Sequence, residues 1–369
     1  MFYVIATVFA IFAILVLAKS VLIPLSVALL ISFILFPLVK KFESMHTGKI
    51  VAAFLSMLTV ILLIGGVIYF FSTQIIELSK EFANFKDRII SSFTEVTLYL
   101  NNNVSIIDNL DKNELFDRIK QWLTQSTGSL VSKTVSNTTA FLAGLLITIV
   151  FIFLILIYRD GLTQAFVQFS PEKNRKSVRN MFKSVQQVGQ KYLFGMLLLT
   201  FVIGIANSFG LWIIGIDNPF LFGFLGATLA IIPYIGTAMG AIIPVIYAFV
   251  SFDSLWIAVE VALLFWFIQL VADNFLSPKI VGGSLNINAL TAILSLIIGG
   301  AVWGVAGMIL FLPFAAMLRV VCDEFDELKP VALLIGSHNY SKKDNSEVLN
   351  RIFKKIRSWV SGIHKPLKK

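Results

Sequence analysis

The chain has 369 residues, 57% of them hydrophobic and 14% charged, with 34 phenylalanines. Soluble domains carry about 25% charged residues, so this composition excludes an ordinary soluble globular protein and marks a polytopic membrane protein. The net charge of +9 gathers in a few loops and in the tail, and the single cysteine, Cys322, excludes an internal disulfide.

A membrane span needs about 20 apolar residues. Such runs occur at roughly 2–18, 21–39, 50–71, 140–158, 193–214, 220–250, 255–271 and 289–318. The first two predict a helical hairpin turning at Ala18-Lys19-Ser20, with Pro24 in the first turn of the second helix. After the third, Ile75, Leu78, Phe82, Phe85, Ile89, Phe93 and Val96 recur every three or four residues, one face of a helix. The asparagines at 101–103 are expected to break it, and Leu115, Ile119 and Trp122 mark a second helix returning to span four.

The loop after span four also reads as a helix. Ser170 is placed to cap it, Pro171 suits its first position, and Val178, Met181, Val185 and Val188 form an apolar face. Lys173, Arg175, Lys176, Arg179 and Lys183 make it basic, as in an interfacial helix. Basic loops lie on the cytoplasmic side. Both termini are therefore expected inside, with residues 72–139 outside. The tail, "NRIFKKIRSWVSGIHKPLKK", is expected to lie on anionic lipid and not on nucleic acid.

Residues 220–250 and 289–318 are each too long for one straight span. Thirty helical residues extend about 45 Å, against a hydrocarbon core of about 30 Å. Each must tilt, protrude or break, and both carry breakers: Pro233, Gly236 and Gly240 in one, Gly299, Gly300, Gly304 and Gly307 in the other. Each follows a span and an Asp-Asn pair, Asp217-Asn218 or Asp273-Asn274. Interrupted spans in corresponding positions point to a transport site. The spacings Gly236-x-x-x-Gly240 and Gly300-x-x-x-Gly304 equally fit close helix packing. A break at Pro233 is expected to free carbonyls that, with the Tyr234 hydroxyl, face a polar solute.

The transport-path candidates are accordingly Pro233, Tyr234, Gly236, Gly240, Asp273, Asn274, Gly300 and Gly304. Asp273 and Glu260 are the candidate ion-coupling carboxylates; Asp273 has Lys279 as a candidate partner. Asn207 and Gln269 are read as making interhelical hydrogen bonds. The histidines, His46, His338 and His364, lie far apart and give no metal site. No cofactor is expected. The chain has no phosphate-binding glycine loop, no His-Glu-x-x-His and no Gly-x-Ser-x-Gly, so an enzyme is not expected.

"IIPYIGTAMGAIIP" resembles the Pro-Tyr-Ile-Gly signature of the autoinducer-2 exporter family. "VADNFLSPKIVGGSLNINALTAILSLIIGGAVWGVAGMILFLPFAAMLR" resembles that family's C-terminal signature, and "LIYRDG" and "SFILFPLVKKF" fit it as well. The resemblance covers roughly residues 15–325. It implies a transport protein of the inner membrane, about eight helices, and a ring-like homo-oligomer, a pentamer among its forms.

The expected fold is thus an all-α polytopic membrane protein of about eight transmembrane helices, two of them long and Gly/Pro-interrupted, with an external helical hairpin. It divides into residues 1–71 with three spans, the external hairpin 72–139, span four and the basic helix at 140–192, the transmembrane core 193–321 and the basic tail 322–369. Three functions fit. One is a secondary transporter, by expectation an exporter, of a small polar metabolite or signal such as autoinducer-2. A second is a sodium–proton antiporter. The third is an oligomeric membrane scaffold that binds partners through its external hairpin.

Overall fold

The computed structural model describes residues 2–103, 142–233, 235–252, 254–282 and 285–337. They are helical almost throughout. Six helices are long and apolar enough to cross a membrane, and three apolar helices are shorter. The chain is an all-α, multi-pass membrane protein.

Helix α1 (Phe2–Leu17) is followed by α2 (Lys19–Ser44). The turn expected at Ala18–Ser20 narrows to Ala18, because Lys19 and Ser20 already belong to α2. Pro24 consequently lies inside α2, past its first turn. The Leu15 carbonyl accepts a hydrogen bond from Trp303 Nε1 at 2.9 Å, a partner from the far end of the chain.

Helix α3 (Lys49–Asn103) has 55 residues. At 1.5 Å per residue it is about 80 Å long, so it continues well past a bilayer core, as the sequence predicted. The asparagines expected to break it are themselves helical and are the last described residues of α3. The second external helix, with Leu115, Ile119 and Trp122, lies outside the described residues.

Helix α4 (Leu142–Phe169) extends past the expected end of its span, so "LIYRDG" is helical. It packs with α2 and α3 around Ala28, Leu35, Val39, Ala52, Met57, Ile152 and Leu156. One end of this bundle is pinned by charge. Arg159 donates to both Glu43 carboxylate oxygens at 2.6 Å, and Lys49 pairs with Asp160. Both side chains of the first pair are mostly buried, at 14% and 22% exposure. Hydrogen bonds to charged groups contribute about 1.5–3 kcal/mol. Arg159→Met should therefore lower the melting temperature of purified protein by several degrees. In an Arg159→Met/Glu43→Gln double variant the loss should be smaller than the sum of the two single losses. Strict additivity would show that the pair contributes nothing.

Helix α5 (Arg175–Ile214) has 40 residues and joins what the sequence divided into a basic surface helix and a fifth span. Ser170 does not cap it. Pro171 is extended, and a short 3-10 turn (Glu172–Asn174) leads in instead. The amphipathic reading stands: Val178 is buried, Met181, Val185 and Val188 are half-buried, and Lys173, Arg175, Lys176, Arg179 and Lys183 are exposed.

About 60 Å long, α5 is the strut on which the C-terminal half is built. Glycines let neighbours approach it. A Cβ at Gly189 would overlap Met317 and Phe33, at Gly204 the Phe224 ring, and at Gly210 Leu264. Gly195 meets the Ile280 carbonyl at 2.9 Å from where its Cβ would be.

The strut ends at Gly215, whose φ of +89° lets its N–H close on Leu211 and Trp212 carbonyls. Asn218, at φ +52°, and Pro219 then open α6 (Pro219–Leu229). Next come α7 (Ile235–Ser251) and α8 (Leu255–Val271), which continues in two wider π turns, Ala272–Leu276 and Pro278–Gly282. Helices α9 (Ala289–Trp303), α10 (Val305–Glu324) and α11 (Lys329–Ile335) complete the described chain.

Both long interrupted segments break where their glycines and proline predicted. Each also folds back on itself. In the first, a Cβ at Gly240 would lie 2.8 Å from the Gly226 carbonyl oxygen, so α6 and α7 touch backbone to backbone. In the second, a Cβ at Gly299 would lie 2.3 Å from the Gly307 oxygen. Here a single residue, Gly304 at φ +62°, makes the turn. Helix α11 clasps the second hairpin at its base. Asn288 caps the Thr291 N–H and donates to the Leu334 and Gly336 carbonyls, and Ile287 pairs with Gly336.

Candidate transport site

Helices α5 and α8 run antiparallel, with Gly210 against Leu264 and Gly195 against Ile280. This pairing sets Asn207 opposite the turn that carries Gln269. With α7 they enclose a groove of ≈ 580 Å³. Its wall is mostly apolar, including Ile203, Ala241 and Phe265, with three polar residues: Asn207, Thr237 and Gln269.

Asn207 stands out among these. It is 3% exposed, and its Oδ1 has no hydrogen-bond partner. Leaving a buried acceptor unsatisfied costs about 1–3 kcal/mol. A donor on a solute or a water entering the groove would remove that cost. Gln269 Nε2 donates to Asp273 Oδ1 at 2.8 Å, which ties an exposed carboxylate to the groove's edge. The Asp273–Lys279 ion pair, one of the candidate roles for Asp273, is not formed. In a helical continuation, residue i−4 shares a face with Asp273 and residue i+6 does not.

The sequence-predicted residues divide into groups. Pro233 lies in the turn of the first hairpin, and Tyr234 lies outside the described residues. Of the carbonyls that Pro233 was expected to free, those of Leu229 and Ile232 are engaged. Gly226, Thr228, Leu229, Ile232 and Pro233 oxygens all accept from N–H groups of the turn itself. Gly236 is required by that turn, since its Cβ would overlap the Leu229 oxygen. Gly240 serves the contact with Gly226, which lines the groove.

Gly300 faces the flexible end of Met308, and Gly304 makes the second turn; neither lines the groove. Asn274 is exposed and donates to the Leu270 carbonyl at 2.8 Å. Glu260 is exposed near the start of α8. Sequence reasoning missed Asn207 and Gln269 as site residues. The available signal was two amides within otherwise apolar spans.

A pair of helical hairpins leaning on one strut, with polar residues in an apolar groove, suits passage of a solute. The sequence profile of the AI-2E family of transporters matches residues 2–327. The chain belongs to the AI-2E transporter family. This transporter is 26% identical to YrrI of Bacillus subtilis over 318 residues, 83% of this chain and 87% of that one. It is 29% identical to YueF of the same organism over 314 residues, 80% and 82% of the two chains. It is 24% identical to the AI-2 transport protein TqsA of Escherichia coli over 322 residues, 87% and 91% of the two chains. The family assignment makes its partners a small-molecule or ion substrate and the surrounding lipid.

Proposed function

We propose that this AI-2E family transporter moves a small polar solute through the groove between α5, α7 and α8. The direction is outward across the inner membrane, and autoinducer-2 is the first cargo to test because TqsA is named for it. The observation that carries the reading is Asn207, a residue lining that groove whose buried side-chain oxygen has no partner. A neutral solute rich in hydroxyls supplies the missing donor.

The exposed basic stretch from Lys173, in the turn that leads into α5, to Lys183 supports cytoplasmic termini. A ring-like homo-oligomer accords with the apolar surface left on a single chain, for example at Trp212, Ile213 and Trp256. Asp273 is the carboxylate nearest the route through its bond from Gln269, and ion coupling is assigned to it before Glu260.

The test is Asn207→Leu in proteoliposomes, with autoinducer-2 and other polyhydroxylated solutes in counter-flow. The variant should fold at least as stably, since it removes an unsatisfied polar atom. Its transport should fall about tenfold or more, the factor that 1.4 kcal/mol represents. Wild-type rates in a normally assembled variant would remove Asn207 from the route.

A further inference from the structure

Helix α5 carries no charged residue from Tyr192 to Ile214, a stretch of about 34 Å. That is close to the thickness of a bilayer's hydrocarbon core, about 30 Å. Lys191 therefore stands where the apolar part of α5 begins, at the depth of lipid headgroups. One turn further along, Gly195 lies flat against the Ile280 carbonyl. This backbone contact fixes Lys279, the neighbour of Ile280, beside the same stretch of α5.

Between them is a second groove, of ≈ 920 Å³, lined by Lys191, Lys279, Gln187, Gln190, Phe194 and Ile280 among others. Among the described residues neither lysine is paired with a carboxylate. Asp273, the acid nearest Lys279 in sequence, is engaged by Gln269. The groove thus presents two uncompensated ammonium groups and two amides, all able to donate, above an apolar floor formed by Phe194, Leu198 and Ile280.

We propose that this groove is a binding site for a phosphate-bearing anion, distinct from the groove that holds Asn207. The chemistry admits two sources: the headgroup phosphate of an anionic lipid, whose chains would cover the apolar floor, or a free phosphate in solution. Lysines at a membrane surface each contribute about 1 kcal/mol toward anionic lipid. Two of them set the expected effect at about tenfold or more.

The experiment uses the full chain in detergent with two probes. Native mass spectrometry compares adducts of phosphatidylglycerol and phosphatidylcholine, and calorimetric titration follows inorganic phosphate. The test variant is Lys191→Gln/Lys279→Gln. Lys176→Gln/Lys183→Gln removes the same charge from the exposed face of the same helix. Preferential phosphatidylglycerol retention that falls about tenfold in the test variant and not in the control supports a lipid site. Saturable phosphate binding with that same pattern supports a free-anion site. The proposal is overturned if wild type shows neither preference nor phosphate binding, or if the test variant binds as wild type. Equal losses in both variants overturn it as well, because they would reveal a diffuse basic surface.

Discussion

Gly307→Ala should melt measurably below wild type, while Gly300→Ala behaves nearly as wild type. The two sites differ by one methyl group in the same hairpin, yet they meet different atoms. A Cβ at Gly307 would lie 1.9 Å from the Gly299 oxygen and 3.0 Å from its Cα. Those atoms are backbone, held in place by α9, so the two helices must move apart. A Cβ at Gly300 meets only the Met308 side chain, 2.7 Å from its Cε and 3.3 Å from its Cγ, and that flexible side chain can rotate away. Overpacking costs about 1–3 kcal/mol, occasionally more, and a backbone clash belongs at the upper end. For a chain of this size the upper end corresponds to a melting temperature lower by about 4 °C. Thermal melts of both variants after extraction decide the matter. Indistinguishable melts for Gly307→Ala and wild type would mean that the hairpin is not closed as described.

Gly240→Val should insert into the membrane but lose most transport. The new Cβ would fall 2.8 Å from the Gly226 oxygen and 2.9 Å from its Cα, and valine adds two further methyl groups. Helix α7 must then shift away from α6. Thr237 and Ala241 move with it, and both line the groove that contains Asn207. A displacement of about 1 Å at a binding site is enough to cost a hundredfold in rate. Gly282→Ala is the matched control, because its Cβ would meet neighbours only at ordinary contact distances, 3.7 Å and beyond. The comparison is uptake per assembled molecule in proteoliposomes. Retained transport in Gly240→Val would separate the first hairpin from the solute route.

The breaks were legible in the sequence because glycine and proline lower helix stability whatever surrounds them. The fold-back was not. A glycine shows where two backbones can meet, but not that the partner of Gly240 is Gly226 or that of Gly299 is Gly307. Helix ends were misplaced where a helix leaves the membrane. Hydropathy falls at Tyr158 and before Tyr192, yet α4 and α5 continue through polar residues that are still good helix formers.

For the candidate site, the stretch from Pro233 to Gly240 includes Thr237, which lines the groove. Asn207 and Gln269 were read as interhelical hydrogen bonders. Sequence reveals a polar residue in an apolar helix, but not whether the facing helix supplies a partner. Gln269 found Asp273 within its own helix, whereas the Asn207 oxygen found none. The Asp273–Lys279 pairing failed for a related reason: nearness in sequence does not put two residues on one helical face.

The doubled-back hairpins have an electrical consequence. At each tip the C-terminal end of one helix, with a partial charge of about −0.5, lies beside the N-terminal end of the next, with about +0.5. The two nearly cancel within a few ångströms. A tip built this way differs from a lone half-helix end aimed at a charged cargo, because it projects almost no field of its own. Discrimination between charged and neutral cargo then falls to side chains. A swing of either tip through the bilayer would also carry almost no gating charge, so transport that depends on tip movement should be nearly independent of membrane voltage.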